Sequence, residues 1–372
     1  MNKAKDKINI LHLISSFEVG GAEKLLIDLL KNAIAPSGVH YTVVVMNDKV
    51  DEELKKELLA TGVNVYFLNR KEGHKHPKYI LKLLSIIKSD KIDIIHSHNY
   101  GSKNWSMLCK VFNSRLKLVH TVHDTNIFKN LSKLNVFFQQ KFIDKNIAIS
   151  KAVSNECSQY DINKVVQIYN GINLKNFTVD RKCSHADCLF KIINISRIVH
   201  PKKGQDILIK ALKVCKDKGL KFKCDFVGGG YNQSKESFEY LKKLVEELTL
   251  EDEITFLGNR TDINELLSQS DLFILPSRYE GLGLVVLEAM AAKIPLIVSN
   301  IDGPAELVTN DETGLLFENE NHFDLAEKIL YLYDNKEKMD EMVQNAHKFV
   351  RNFDISVMCE KYSEVYNELI KG

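Results

Sequence analysis

Two carboxylates in a glycine-rich, apolar setting dominate the chemistry open to this sequence. Glu280 and Glu288 stand eight residues apart in the run Leu275-Pro276-Ser277-Arg278-Tyr279-Glu280-Gly281-Leu282-Gly283-Leu284-Val285-Val286-Leu287-Glu288-Ala289-Met290. Glu280 falls in a glycine-containing loop, and Glu288 about one turn into the apolar helix that follows. A carboxylate beside Leu287, Ala289 and Met290 is costly to bury unless hydroxyls or cations pair with it, and a sugar or ribose supplies hydroxyls. The plainer alternative is a glutamate on a hydrated helix face. The backbone amides of Gly281, Leu282, Gly283 and Leu284 head that helix, where unpaired N–H groups suit an anion.

A second candidate is the loop Ser196-Arg197-Ile198-Val199-His200-Pro201-Lys202-Lys203-Gly204, which follows an apolar run. Its arginine and two lysines can neutralise a diphosphate leaving group; a basic loop can also be merely solvated. Gly20-Gly21-Ala22-Glu23 opens a helix after the first strand. It lets the backbone approach a phosphate, or it is an ordinary turn. Gly228-Gly229-Gly230 offers the same choice between a phosphate loop and a hinge. His96-Ser97-His98 and His120-Thr121-Val122-His123-Asp124 end two apolar runs. No third ligand has zinc spacing, so a substrate-facing histidine is more economical than a metal, with His96 and His120 as polar strand caps. Cys183-Ser184-His185-Ala186-Asp187-Cys188 has no second cysteine pair and reads as linker.

Positioning these residues calls for alternating strands and helices. In the first half, apolar β-rich runs at 8–14, 41–46, 63–68, 92–96, 117–122, 147–150 and 165–169 alternate with helical patterns at 22–32, 52–60 and 79–88. The second half has strands at 191–195, 223–227, 254–257, 272–275 and 296–298, with helices at 205–216 and 238–247. Such alternation implies parallel sheets covered on both faces. Ligands of these sheets sit beyond the carboxyl ends of the strands. The polar, aperiodic run 178–185 is the expected linker.

Composition narrows the class. The 372 residues are 44% hydrophobic and 27% charged, as in soluble globular proteins, which excludes disordered, collagenous and disulfide-stapled chains. No apolar run approaches the ~20 residues of a membrane span. The charged N-terminus has no signal-peptide core, so the expectation is a cytoplasmic protein, and seven scattered cysteines fit a reducing compartment. The net charge of +2 conceals an asymmetry. Residues 1–180 carry 26 Lys+Arg against 17 Asp+Glu, a net of +9, and the remainder carries −7. A basic half suggests an anionic partner, or simply drift of surface charge.

Taken together, the landmarks resemble the retaining nucleotide-sugar glycosyltransferases of family 4. They are Gly20-Gly21-Ala22-Glu23, the strand end at His123, Asn170-Gly171-Ile172, Arg197 with Lys203-Gly204, Phe256-Leu257-Gly258, Pro276-Ser277, the Glu280/Glu288 element and Thr313-Gly314-Leu315-Leu316. Two positions depart: Leu282 stands where Phe is common, and Lys293 where Gly is common. The resemblance implies a GT-B fold, two Rossmann-like α/β domains facing across a deep cleft. The N-terminal, acceptor-side domain would span 1–182, the donor-binding domain 183–354, and 355–372 would return to the first as a helix.

The same resemblance implies roles. Arg197 and Lys203 grip the donor diphosphate as the glycosidic bond breaks. Glu288 meets the ribose, and Glu280 with the 281–283 backbone holds the sugar. His123 lines the reaction centre, Gly20 and Gly21 approach donor or acceptor, and the base lies near Asn259 and Arg260. No metal or cofactor is expected beyond the nucleotide diphosphate sugar, with UDP favoured over GDP. Transfer would be to a glycan or lipid-linked acceptor in bacterial surface polysaccharide synthesis, with no nucleic acid involved. The rival readings are a nucleotide-sugar epimerase and a non-catalytic nucleotide-sugar binding protein. Two clusters suggest contact with anionic lipid at the inner face of the membrane. One places Lys71, Lys75, Lys78, Lys82, Lys88 and Lys91 around the apolar residues of 79–87. The other places Lys129, Lys133, Lys141 and Lys145 around Phe128, Leu131, Leu134, Phe137, Phe138 and Phe142. In each case the alternative is a helix whose apolar face packs on the sheet.

Overall fold

The computed structural model describes residues 7–33, 38–125, 127–177, 189–229 and 235–371. The chain divides into two compact units, Met1–Ile172 with Phe353–Gly372, and Asn173–Asn352. The expected linker at 178–185 and the Cys183–Cys188 pair lie outside the described residues, as does Gly230 of the glycine triplet.

Unit 1 is built on a parallel sheet of β1 (Ile8–Ile14), β2 (Val39–Asn47), β3 (Asn64–Arg70), β4 (Ile94–Ser97), β5 (Lys117–Val122), β6 (Lys145–Ala148) and β7 (Val165–Gln167). The order is β3-β2-β1-β4-β5-β6-β7. Central β1 pairs Leu13 with Val44 of β2 and Ser97 of β4. Its side chains are buried on both faces except for Asn9, as a sheet covered by helices requires. The helices are α1 (Gly21–Ala33), α2 (Glu52–Leu59), α3 (Lys78–Ser89), α4 (Tyr100–Phe112), α5 (Lys133–Phe142) and α6 (Lys151–Gln159). Asp51 caps α2 by accepting from the amides of Glu53 and Leu54 at 3.1 and 3.0 Å.

Unit 2 repeats the plan with β8 (Phe190–Ile195), β9 (Phe222–Val227), β10 (Ile254–Gly258), β11 (Leu272–Leu275), β12 (Leu296–Ser299) and β13 (Leu315–Phe317). They are ordered β10-β9-β8-β11-β12-β13 and all parallel. Its helices are α7 (His200–Lys203), α8 (Gln205–Asp217), α9 (Lys235–Glu247), α10 (Ile263–Ser268), α11 (Leu284–Ala291), α12 (His322–Asp334) and α13 (Lys336–Phe349). In each sheet the strand order reverses beside the first strand, between β1 and β4 and between β8 and β11. Those switch points are where ligands of open α/β sheets bind.

The C-terminal helix, Ile355–Lys371, packs on α1 of unit 1 and buries Met358, Tyr362, Val365, Tyr366 and Leu369. The chain re-enters unit 1 where Ile172 and Asp354 pair, with Ile172 N–H donating to Phe353 O and Ile355 N–H to Ile172 O, both at 2.9 Å. Gly171 makes that crossing close. A Cβ there would stand 2.9 Å from the Ile355 Cα.

Two expectations change. The basic-apolar cluster at 79–87 is not a lipid face: Tyr79, Ile80, Leu83, Ile86 and Ile87 pack with Leu11, Leu13, Val44 and Met46 in the core. Secondly, the alternation read from sequence omits α4, whose first turn contains Gly101. That glycine serves an approach, since a Cβ there would lie 2.5 Å from Ser15 Oγ. Asn99 and Ser102 close a reciprocal cap at 3.1 Å, which compensates for it.

Candidate active site

In unit 2, β8 ends at Ile195 and delivers exposed Arg197 to the carboxyl edge. The single turn α7 then presents Lys202 and Lys203. Gly204, at φ +64°, ends that turn, and a Cβ on it would sit 1.8 Å from Pro276 O. Only glycine lets the basic loop lie this close to the strand end of β11. There Lys203 Nζ meets the Glu280 carboxylate in a buried ion pair. Ser277 Oγ donates to Glu280 Oε1 at 3.0 Å. Burial alone would raise the Glu280 pKa, but the Lys203 charge and hydrogen bond, the Lys202 charge and the Ser277 hydroxyl outweigh it and hold the carboxyl below its usual range. Lys202 also lies 4.9 Å over the Tyr279 ring.

Arg278 stitches the two loops. Its guanidinium forks onto the Asp206 carboxylate with two bonds of 2.8 Å, donates to His200 O at 2.6 Å, and pairs with Glu320. Its own amide donates to Lys202 O at 2.8 Å. Burial would raise the Asp206 pKa, but Arg278 drives it down. Spacing could not reveal this pair, since its members stand 72 residues apart. Beyond Glu280, Gly281 and Leu282 are buried, and Gly283 at φ +87° starts α11. Glu288 sits on α11, half-buried. Asn259 follows β10 and lies against Gly229, where a Cβ would come within 2.5 Å of its Oδ1. The Arg260 guanidinium is engaged by Asp262.

In unit 1, Gly20 precedes α1 and Gly21 is its first residue; the Lys24 amide donates to Gly20 O at 3.2 Å. The histidines stack at the carboxyl ends of β1, β4 and β5. His12 Nδ1 lies 2.8 Å from His98 Nε2, and His98 Nδ1 lies 3.3 Å from His123 Nε2. His96 spends both nitrogens, on Tyr366 Oη and Thr121 Oγ1, each at 2.6 Å. His12, His96 and His98 are close enough to share an ion, but every ring nitrogen of the three except His12 Nε2 is already hydrogen-bonded. They form a hydrogen-bonded stack. Buried His12 Nε2 has no partner, and an orphaned N–H costs more than an orphaned acceptor. The proton of His12 therefore sits on Nδ1 and donates to His98. His98 in turn donates to His123, and the His123 proton is left on Nδ1. Burial lowers the His123 pKa to about 4 and that of His12 to about 3. His123 is therefore a neutral hydrogen-bonding group near pH 7.

Comparison with known proteins decides the family. Residues 19–176 match the model described as Glycosyltransferase Family 4, and residues 179–349 that of Glycosyl transferases group 1. An uncharacterized glycosyltransferase of Methanocaldococcus jannaschii is 31% identical over 77% of this chain and 78% of its own length. The chain belongs to glycosyltransferase family 4. Among other relatives of this family 4 enzyme is the UDP-Gal:alpha-D-GlcNAc-diphosphoundecaprenol alpha-1,3-galactosyltransferase of Escherichia coli. It is 26% identical over 80% of each chain. Anabaena HepE, solved with UDP and glucose, shares the GT-B fold at a TM-score of 0.85, with 24% identity over 96% of this chain and 99% of that one. Membership makes the protein a glycosyltransferase and sets aside the epimerase. Within unit 2 the structure gathers Lys203, Glu280 and the head of α11, with Arg197 at the neighbouring strand end. It adds Ser277, Arg278 and Asp206, whose roles depend on contacts that the fold makes.

Proposed function

We propose that this family 4 enzyme transfers a sugar from a UDP-sugar to a lipid-linked glycan during assembly of a bacterial surface polysaccharide. The observation that carries the reading is the Lys203–Glu280 pair at the β8/β11 switch point, beside the head of α11. When the bond from C1 to the diphosphate oxygen breaks, negative charge grows on the leaving group. Arg197, Lys203 and the amides of 281–284 meet that charge with donors that need no rearrangement. Glu280 aims Lys203 and accepts from the sugar hydroxyls, while Glu288 accepts from the ribose. The base rests on the backbone near Asn259 and Arg260; in unit 1, neutral His123 carries its N–H on Nδ1. The acceptor hydroxyl attacks on the face the diphosphate leaves, and its proton passes to the departing phosphate oxygen, so configuration is retained. Cationic side chains take the place of a metal.

Support for the donor and acceptor comes from the E. coli relative, whose name specifies UDP-galactose and a diphosphoundecaprenol-linked sugar. Work at the cytoplasmic face of the membrane follows from such an acceptor. The test is release of nucleotide from a panel of UDP- and GDP-sugars, with and without undecaprenyl diphosphate-linked sugars, in the presence of EDTA. Acceptor-dependent release from one UDP-sugar is expected. Turnover only with GDP-sugars, abolition by EDTA with rescue by magnesium, or an inverted anomeric product would each refute the corresponding step.

A further inference from the structure

Two neighbouring helices of unit 1 turn an apolar face outward. On α4 the residues are Leu108, Val111 and Phe112, and on α5 they are Leu134, Phe137 and Phe138. Both sets follow i, i+3, i+4 spacing, so each forms one stripe. Val111, Phe112, Leu134 and Phe137 are 59%, 63%, 61% and 54% exposed, too open for core residues. The opposite faces hold the two helices together: Lys103 Nζ donates to Gln139 Oε1 at 2.5 Å, and Lys110 Nζ to Phe142 O at 3.0 Å. Phe138 stacks on Phe142 and meets Phe137 edge-on, so the aromatic side chains form a continuous patch.

Charge identifies the occupant. Neither α4 nor α5 contains an aspartate or glutamate. From residue 94 to 143 the sequence has seven Lys+Arg and a single acid, Asp124. Arg115, Lys129, Lys133 and Lys141 are exposed beside the apolar stripes. Among the described residues no helix is long and apolar enough to cross a membrane. Exposed Phe and Leu beside exposed cations is the pattern of a surface that lies on an anionic bilayer; Asp144, which follows α5, is spent on Lys110. We infer that the α4–α5 face docks the enzyme on anionic lipid, inserting Phe112, Leu134 and Phe137 among the acyl chains while Lys133 and Lys141 meet phosphate headgroups. This rests on the proposed lipid-linked acceptor only for its purpose, since the surface is defined without it.

The test is co-sedimentation of the full chain with vesicles of phosphatidylcholine alone or with phosphatidylglycerol, without donor or acceptor, at low and high salt. Binding is expected only with phosphatidylglycerol and should weaken with salt. The double charge reversal Lys133→Glu/Lys141→Glu should cost at least about tenfold in affinity, and Phe112→Ser/Phe137→Ser should abolish binding. Circular dichroism and turnover on a soluble acceptor should stay unchanged. Leu81→Ser/Lys82→Glu on α3 should bind as the parent does. No binding by the parent, equal loss from the α3 variant, or a dimer in solution that Phe137→Ser dissociates would overturn the docking. If the vesicles bind but undecaprenyl-linked acceptors are not used, the proposed acceptor fails and the docking surface stands.

Discussion

Replacing Lys203 by alanine should separate two jobs that one side chain performs. In the parent, burial pushes the Glu280 pKa up, and Lys203 is the largest force bringing it below its ordinary value of 4.5. Without Lys203 the largest contribution opposing burial is gone and the pKa rises. Removing one partner of a buried pair typically costs about 3–5 kcal/mol, so unit 2 should lose roughly that at pH 7. The parent pair stabilises above pH 4.5, and this is lost as pH falls through the depressed pKa. In the variant a charged Glu280 destabilises at neutral pH, and that penalty disappears as the carboxyl takes up a proton. The gap between parent and variant should therefore be widest near pH 7 and narrow toward pH 4.5. Hydrogen exchange of the β11 and β12 amides measures it within unit 2. Lys203→Ala/Glu280→Gln should recover most of the stability. Turnover should fall about 100- to 1,000-fold in both variants, the usual loss when one donor to a developing oxyanion is removed, and more than donor affinity falls. A gap that widens as pH drops, or a double variant with parental turnover, would refute the pairing as the source of both effects.

The histidine stack makes unit 1 acid-labile. His12, His96, His98, His120 and His123 are all held below 6.5, chiefly by burial. Their contribution is complete above pH 6.5 and lost as pH falls toward the folded values. At pH 5 each ring that stays neutral costs about 2 kcal/mol relative to the unfolded chain, so three of them approach the whole stability of a typical domain. Fluorescence of the lone tryptophan, Trp105 in unit 1, should report cooperative unfolding between pH 6 and 4; a flat trace would contradict the neutral stack. Arg278→Ala should strand the buried Asp206 carboxylate and free the α7 loop, lowering kcat while Arg278→Lys restores charge but not the fork; equal kinetics for Lys and Arg would show that the fork is not needed. Lys293 holds φ +59° just past α11, a conformation that costs a non-glycine residue roughly 1–2 kcal/mol. Lys293→Gly should raise the melting temperature of unit 2 by about 2–4 °C, and a lower melting temperature would count against strain there.

What sequence disclosed and what it withheld follow one physical division. Period and punctuation are local, so the strands of both sheets, except the three-residue β13, and the C-terminal helix were legible. So was the placing of Arg197, Lys203, Glu280 and Glu288 at strand ends and on a helix. Distance across the fold is not local. Nothing near residue 206 announces that its carboxylate will hold Arg278, and nothing near residue 12 announces that His12 ends a chain of imidazoles leading to His123. The two lysine-rich clusters show the same limit from the other side, since both have basic residues around apolar ones. On α3 the apolar face found Leu11, Leu13, Val44 and Met46 and became core. On α5 the helix instead turned Gln139 inward, onto Lys103 and Asn146 at 2.5 and 3.0 Å, leaving Leu134, Phe137 and Phe138 outside. A buried polar residue on a helix with ample apolar ones is satisfied by partners 36 and 7 residues away, and that choice, invisible in the pattern of α5 itself, decides which face is left exposed.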